Sequence, residues 1–201
     1  MSMKTNNYEL SRDRAQAYFL GFDQMEAVRQ WNLKHDETHL FAELFGREYA
    51  ICRKTGQVRR CWTGEQANYA EVLSLFDLLC HEGGEKRLAR EFAPVNSLNG
   101  RPVAGVGTDF HGASATRFDR DVEGFCRGCR ELGGIPVDLG DYGFRFRVFG
   151  EMEVILKFYR ADEDFPASLT LLWDKNTLQF VYYETVFYLA GCLLAAVEEK
   201  M

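Results

Sequence analysis

Phe144-Arg145-Phe146-Arg147-Val148-Phe149-Gly150-Glu151-Met152-Glu153-Val154-Ile155-Leu156-Lys157-Phe158-Tyr159 decides the fold class. Phe144, Phe146 and Val148 alternate with Arg145, Arg147 and Phe149, a period of two that only a strand satisfies. Gly150-Glu151 turns the chain, and Glu153 to Tyr159 reads as the next strand. After an acidic loop at 161–166, Leu169 to Trp173 reads as a third. Short connections of this kind join antiparallel neighbours.

The same period occurs earlier. Leu40, Ala42 and Leu44 alternate with Phe41, Glu43 and Phe45, Gly46-Arg47 reads as a turn, and Tyr49 to Cys52 continues the alternation. Lys54-Thr55-Gly56-Gln57 is a second turn, with Gly56 free to take positive φ, and Gln57 to Trp62 a third strand. Around these two blocks of about three strands lie helical patterns. Asn7 to Leu20 is one. Asp23 reads as the N-cap of a short second helix, with Glu26 placed for a capping box. Glu65 to His81 carries a wide apolar stripe of Tyr69, Val72, Leu73, Phe76 and Leu79, which implies burial on much of its circumference. Arg117 to Leu132 is helical and stops at Gly133-Gly134. Tyr182 to Lys200 is a long C-terminal helix, in which Gly191 implies close packing against a neighbour. Glu85 to Thr116 is irregular, with one short element expected near Phe92 or Val103 to Val106. The fold class is α+β: a mainly antiparallel sheet packed with helices, in a single domain over residues 1–201.

Composition narrows function by exclusion. Lys plus Arg is 24 and Asp plus Glu is 30, a net charge of −6. An acidic domain argues against nucleic acid, which needs many cations to displace counterions; Arg53, Lys54, Arg59 and Arg60 read as the flanks of a hairpin turn. No apolar run approaches the ~20 residues of a membrane span, and the N-terminal stretch has no signal-peptide core. A cytoplasmic location is expected. The six cysteines are then free thiols by default. Aromatic residues make up 14%, enough to cover a homodimer interface.

Several constellations could carry chemistry. Cys126-x-x-Cys129 has the spacing of a redox dithiol or of half a metal site. Both thiols also fall on the apolar stripe of Val122, Phe125 and Leu132, which makes core packing the plainer reading. Asp109-Phe110-His111 puts an acid beside an imidazole it could orient, in a glycine-rich stretch where a ligand could approach the backbone. Arg101 and Arg117 could hold an anionic group there. The turn containing Asp162 and Glu163 would shape one wall and could offer carboxylate oxygens to a cation. His35 and His39 have helical metal spacing, but His39 falls in a strand pattern. No phosphate loop, dinucleotide fingerprint or nucleophile elbow is present.

Asp162-Glu163-Asp164-Phe165-Pro166-Ala167, then Leu169 to Asp174, then Tyr183-Glu184-Thr185 opening a long apolar helix, resembles the closing signature of a prokaryotic family catalogued as domain of unknown function 3786. Phe45-Gly46-Arg47-Glu48-Tyr49, the helix with Leu78-Leu79 and the stop at Leu132-Gly133-Gly134 follow the same order. The middle departs, with Ser97-Leu98-Asn99-Gly100 where the family has a more compact aromatic and glycine segment. The resemblance implies no catalytic residues. It implies a setting in anaerobic metabolism, because some relatives are joined to iron–sulfur modules; this chain has no ferredoxin-type cysteine run.

The expectation is a small-molecule-binding or protein-interaction module of bacterial anaerobic metabolism. Its site would use Arg101, Asp109, His111, Arg117, Asp162 and Glu163, with no cofactor assigned. The alternatives are an enzyme working through the His111–Asp109 pair, and a thiol-based redox or metal-linked protein using Cys126 and Cys129.

Overall fold

In the computed structural model, residues 7–82, 86–98 and 111–201 are described. The chain runs α1 (Asn7–Gly21), α2 (Gln24–Trp31), β1 (Lys34–His35), β2 (His39–Leu44), β3 (Arg47–Cys52), β4 (Val58–Arg60), α3 (Tyr69–Cys80), β5 (Phe92–Pro94), α4 (Gly112–Arg120), α5 (Val122–Glu131), β6 (Ile135–Val137), β7 (Tyr142–Phe149), β8 (Met152–Tyr159), β9 (Ser168–Asp174) and α6 (Tyr183–Lys200). Short 3-10 turns follow β5 and β9. The strands form two antiparallel sheets, ordered β1-β2-β3-β4 and β5-β9-β8-β7-β6. The protein is therefore α+β.

The larger sheet buries one face. Register places Phe144 opposite Leu156, Phe146 opposite Val154, Leu156 opposite Leu171 and Val154 opposite Trp173. All of these are buried. Arg145, Arg147, Glu153 and Lys157 occupy the alternate face, as period-two sequence requires. Helices α4 and α5 cover the apolar side. Phe118 stacks on Phe125 at 4.6 Å, and Phe125 meets Phe144 edge-on at 5.7 Å. Phe45 N–H donates to Val148 O at 3.0 Å, joining the two sheets. Helix α1 packs on α3, α3 on α6, and α6 on α5.

Several boundaries differ from the sequence reading, each for a local reason. The β2–β3 turn is Phe45-Gly46, not Gly46-Arg47. Leu44 pairs with Arg47, and both turn residues take positive φ, 50° and 71°, the geometry a two-residue hairpin requires. Phe45 accepts that backbone because its ring is buried. α3 begins at Tyr69, not Glu65. Residues 65–67 stay with β4 through Arg60 N–H to Glu65 O and Ala67 N–H to Val58 O. Asn68 then closes a capping box with Glu71. The expected helix at 117–132 starts earlier and is two helices, broken at Asp121, whose carboxylate accepts from Gly124 N–H at 2.8 Å. β1 and β6 were not expected. Each is three residues or fewer, too short for a period to register. Of the two places expected for a short element, Phe92 opens β5, at the edge of the large sheet, and Val103 to Val106 lies outside the described residues.

Candidate functional site

The residues singled out by sequence disperse. Arg101 and Asp109 lie outside the described residues. His111 sits at the N-terminus of α4, where burial pushes its ring pKa below the usual value. Arg117 Nη1 lies 2.5 Å from Glu198 Oε2 of α6, and Ser114 Oγ donates to the same carboxylate at 2.9 Å. Asp162 is engaged in its own turn, accepting from the N–H groups of Asp164 (2.9 Å) and Phe165 (2.7 Å). Glu163 is exposed beside it. That turn is tied to α4 by Asp119, which accepts from Arg160 Nε at 3.1 Å. Positions 117 and 119 point to different sides of a helix. Among the described residues no hydrogen bond or ion pair joins Arg117 to Asp162 or Glu163.

Cys126 and Cys129 are buried in α5 against the sheet. Burial pushes both thiols up, away from the thiolate a nucleophile or metal ligand needs. Among the described residues no three His, Cys, Asp or Glu side chains converge as a metal site.

Two other constellations emerge from the fold. The first joins β3, β4, α3 and α6 around a void of about 130 Å³. Glu71, 6% exposed, accepts from Arg60 Nη2 (2.9 Å), the Tyr49 hydroxyl (2.9 Å) and Asn68 N–H (2.7 Å). Burial and the neighbouring Glu71 charge push the Tyr49 phenol far up. Arg47 pairs with Glu199 at 2.7 Å, and the Arg47 and Arg60 guanidiniums lie 5.0 and 6.0 Å from the Trp62 ring. Two cations and two anions are thus already matched, which makes this a closed network binding the small sheet to the helices. Gly191 of α6 lines the same void. An added Cβ there would meet nothing within 4 Å, so the close packing expected at Gly191 is corrected: the glycine faces open space.

The second is larger and less neutral. α2 ends at Trp31 because Asn32 takes the left-handed conformation, φ 49°, and closes the helix. The indole meets Phe149 edge-on at 4.8 Å and Phe180 at 6.1 Å. Gly150 in the β7–β8 turn has φ +53°, and a Cβ there would lie 2.8 Å from the Trp31 ring. The opposite wall is residues 86–90, held by Asp174 at the end of β9. This carboxylate is 2% exposed and accepts from the N–H groups of Ala89 (3.0 Å), Arg90 (2.7 Å) and Asn176 (2.8 Å). Asn176 Nδ2 donates to Arg87 O, and Arg87 N–H to Gln179 Oε1. The result is a cleft of about 620 Å³ lined by Trp31, Lys86, Arg87, Arg90, Met152 and Phe180, among others. Lys86 Nζ stands 5.6 Å from the Trp31 ring centroid, and burial lowers its pKa. Arg90 pairs with Glu151 at 3.0 Å. Among the described residues neither Lys86 nor Arg87 has an ion-pair partner.

Sequence reasoning missed this cleft. Trp31 was not singled out, and the cations at 86, 87 and 90 fall at the start of the stretch read as irregular. The available signal was that cation cluster, but nothing local connects it to residues 31, 150 and 180.

Among the described residues no helix is long and apolar enough to cross a membrane. Comparison with curated proteins and with solved structures finds no match. The model of the family described as Domain of unknown function (DUF3786) matches residues 23–196, a span that contains both sheets, all of the Trp31 cleft and most of α6; the chain belongs to that family.

Proposed function

We propose that this protein is a small-molecule-binding domain and that its ligand occupies the Trp31 cleft. The observation that carries the reading is the cleft itself. Its volume of about 620 Å³ lies within the ~300–1,000 Å³ typical of ligand sites. Its walls combine an apolar floor of Trp31, Leu88, Met152 and Phe180 with cations at the mouth. The far wall supports the reading: buried Asp174 accepts from Ala89 and Arg90 N–H and fixes the position of residues 86–90.

The test is fragment mapping on the intact chain by amide chemical shifts, using small aromatic and aliphatic alcohols, acids and amines. Shifts are expected to cluster at residues 30–32, 86–90 and 150–152. Trp31→Ala should abolish them while the fold persists. Fragments that bind only elsewhere, or none at all, would overturn the reading.

A further inference from the structure

We infer that the occupant of the cleft is an aromatic organic anion, its ring against Trp31 and its negative group at Lys86 and Arg87; this rests on the binding function proposed above. Charge is the first argument. The chain carries a net −6, yet the cleft is lined by Lys86, Arg87 and Arg90 against one carboxylate, Glu151. Arg90 is already neutralised by Glu151 and, at 3.7 Å, by Glu153. Lys86, half-buried over the Trp31 ring, and Arg87, exposed, have no ion-pair partner among the described residues. An anion is the complement of two such cations.

The wall supplies the second argument. The Lys86 ammonium group stands 5.6 Å from the centroid of the Trp31 ring. A cation over an indole is attracted by the ring quadrupole. A flat ring can take its place, with Met152 and Phe180 completing a slot of soft, polarizable surface. Lys86 then swings to the negative group it now faces. The depressed pKa of Lys86 fits this arrangement, because burial disfavours its ammonium form and outweighs the opposing charges of Glu26 and Asp77, neither of which pairs with it directly. Gly150 keeps the slot open, since any side chain there would press into the indole.

The experiment compares 1-naphthyl phosphate, 1-naphthoate and 1-naphthol on the intact protein, read by amide shifts around the cleft. At least one anion should bind about tenfold or more tightly than the neutral alcohol, as expected for two weakly screened cations. Which of the two anions prevails distinguishes a phosphate from a carboxylate ligand. The double variant Lys86→Gln, Arg87→Gln should bring the anion to within about threefold of naphthol. Arg87 is exposed and Lys86 half-buried, and an unchanged melting temperature would show that the fold is intact. Equal binding of all three compounds, or no effect of the double variant, would overturn the anion inference and leave the binding reading standing. No perturbation of the cleft by any of the three, together with a blank fragment map, would overturn both.

Discussion

Two helical glycines show how one residue type acquires opposite roles. Gly128 is buried where α5 crosses α6, and a Cβ there would stand 2.7 Å from Val197 O. Backbone cannot yield as a flexible side chain can, so Gly128→Ala should lower stability by roughly 1–3 kcal/mol through overpacking. Gly191 lies in α6 itself, six residues before Val197, yet has open space on its Cβ side. Gly191→Ala should raise stability by about 0.5–1 kcal/mol, the helix-propensity difference. Urea unfolding of both variants checks the pair. A stabilised Gly128→Ala protein would mean that α5 and α6 are not in contact at this point.

At the scale of elements, the turns are held by carboxylates spent on backbone. Asp36, between β1 and β2, accepts from Thr38 N–H (2.6 Å), Thr38 Oγ1 (2.7 Å) and His39 N–H (2.7 Å). The Thr38 side chain and then the backbone donors hold its pKa down at about 2, from an ordinary 3.8. A lowered carboxylate pKa stabilises the fold above the unfolded value and loses that contribution as pH falls through the folded one. Asp36→Asn should therefore lower the melting temperature at neutral pH, with the difference shrinking below pH 4 and vanishing only below pH 2. A pH-independent difference would show that the carboxylate charge plays no part. Asp174 uses the same device at the end of β9, and its position explains why residues 87–90 stand as a wall. The large sheet follows a simpler rule: alternate residues of β7, β8 and β9 face α4 and α5, and the charges between them face outward.

Across the whole molecule, the hydrophobic core sorts the thiols. Cys80, Cys126 and Cys129 are buried, whereas Cys61 is exposed and Cys52 half-exposed. Burial raises the Cys80 thiol to about 12, and a hydrogen bond from Thr55 lowers that of Cys52. In native protein a thiol reagent should label Cys52 and Cys61 first. Cys126 and Cys129 should react only after unfolding. Labelling of either at the rate of Cys61 would contradict the packing of α5 on the large sheet.

Period and composition by themselves determined the α+β class, the one-sided sheet of β7 to β9, the helical stripe of α3 and the long α6. These depend on residues within a few positions of one another, where the strand and helix repeats force side chains to one face. Asn68 capping Tyr69, rather than a start at Glu65, was already harder to read, because β4 competes for the intervening backbone. The cleft lay beyond local pattern altogether. Trp31, Lys86, Gly150 and Phe180 meet only because α2, the wall held by Asp174 and the β7–β8 turn converge. The open side of Gly191 is decided in the same way, by which neighbour α6 fails to touch. Local periodicity encodes which face is buried; what stands across from that face, and where a gap is left, follows from long-range packing that only the tertiary structure decides.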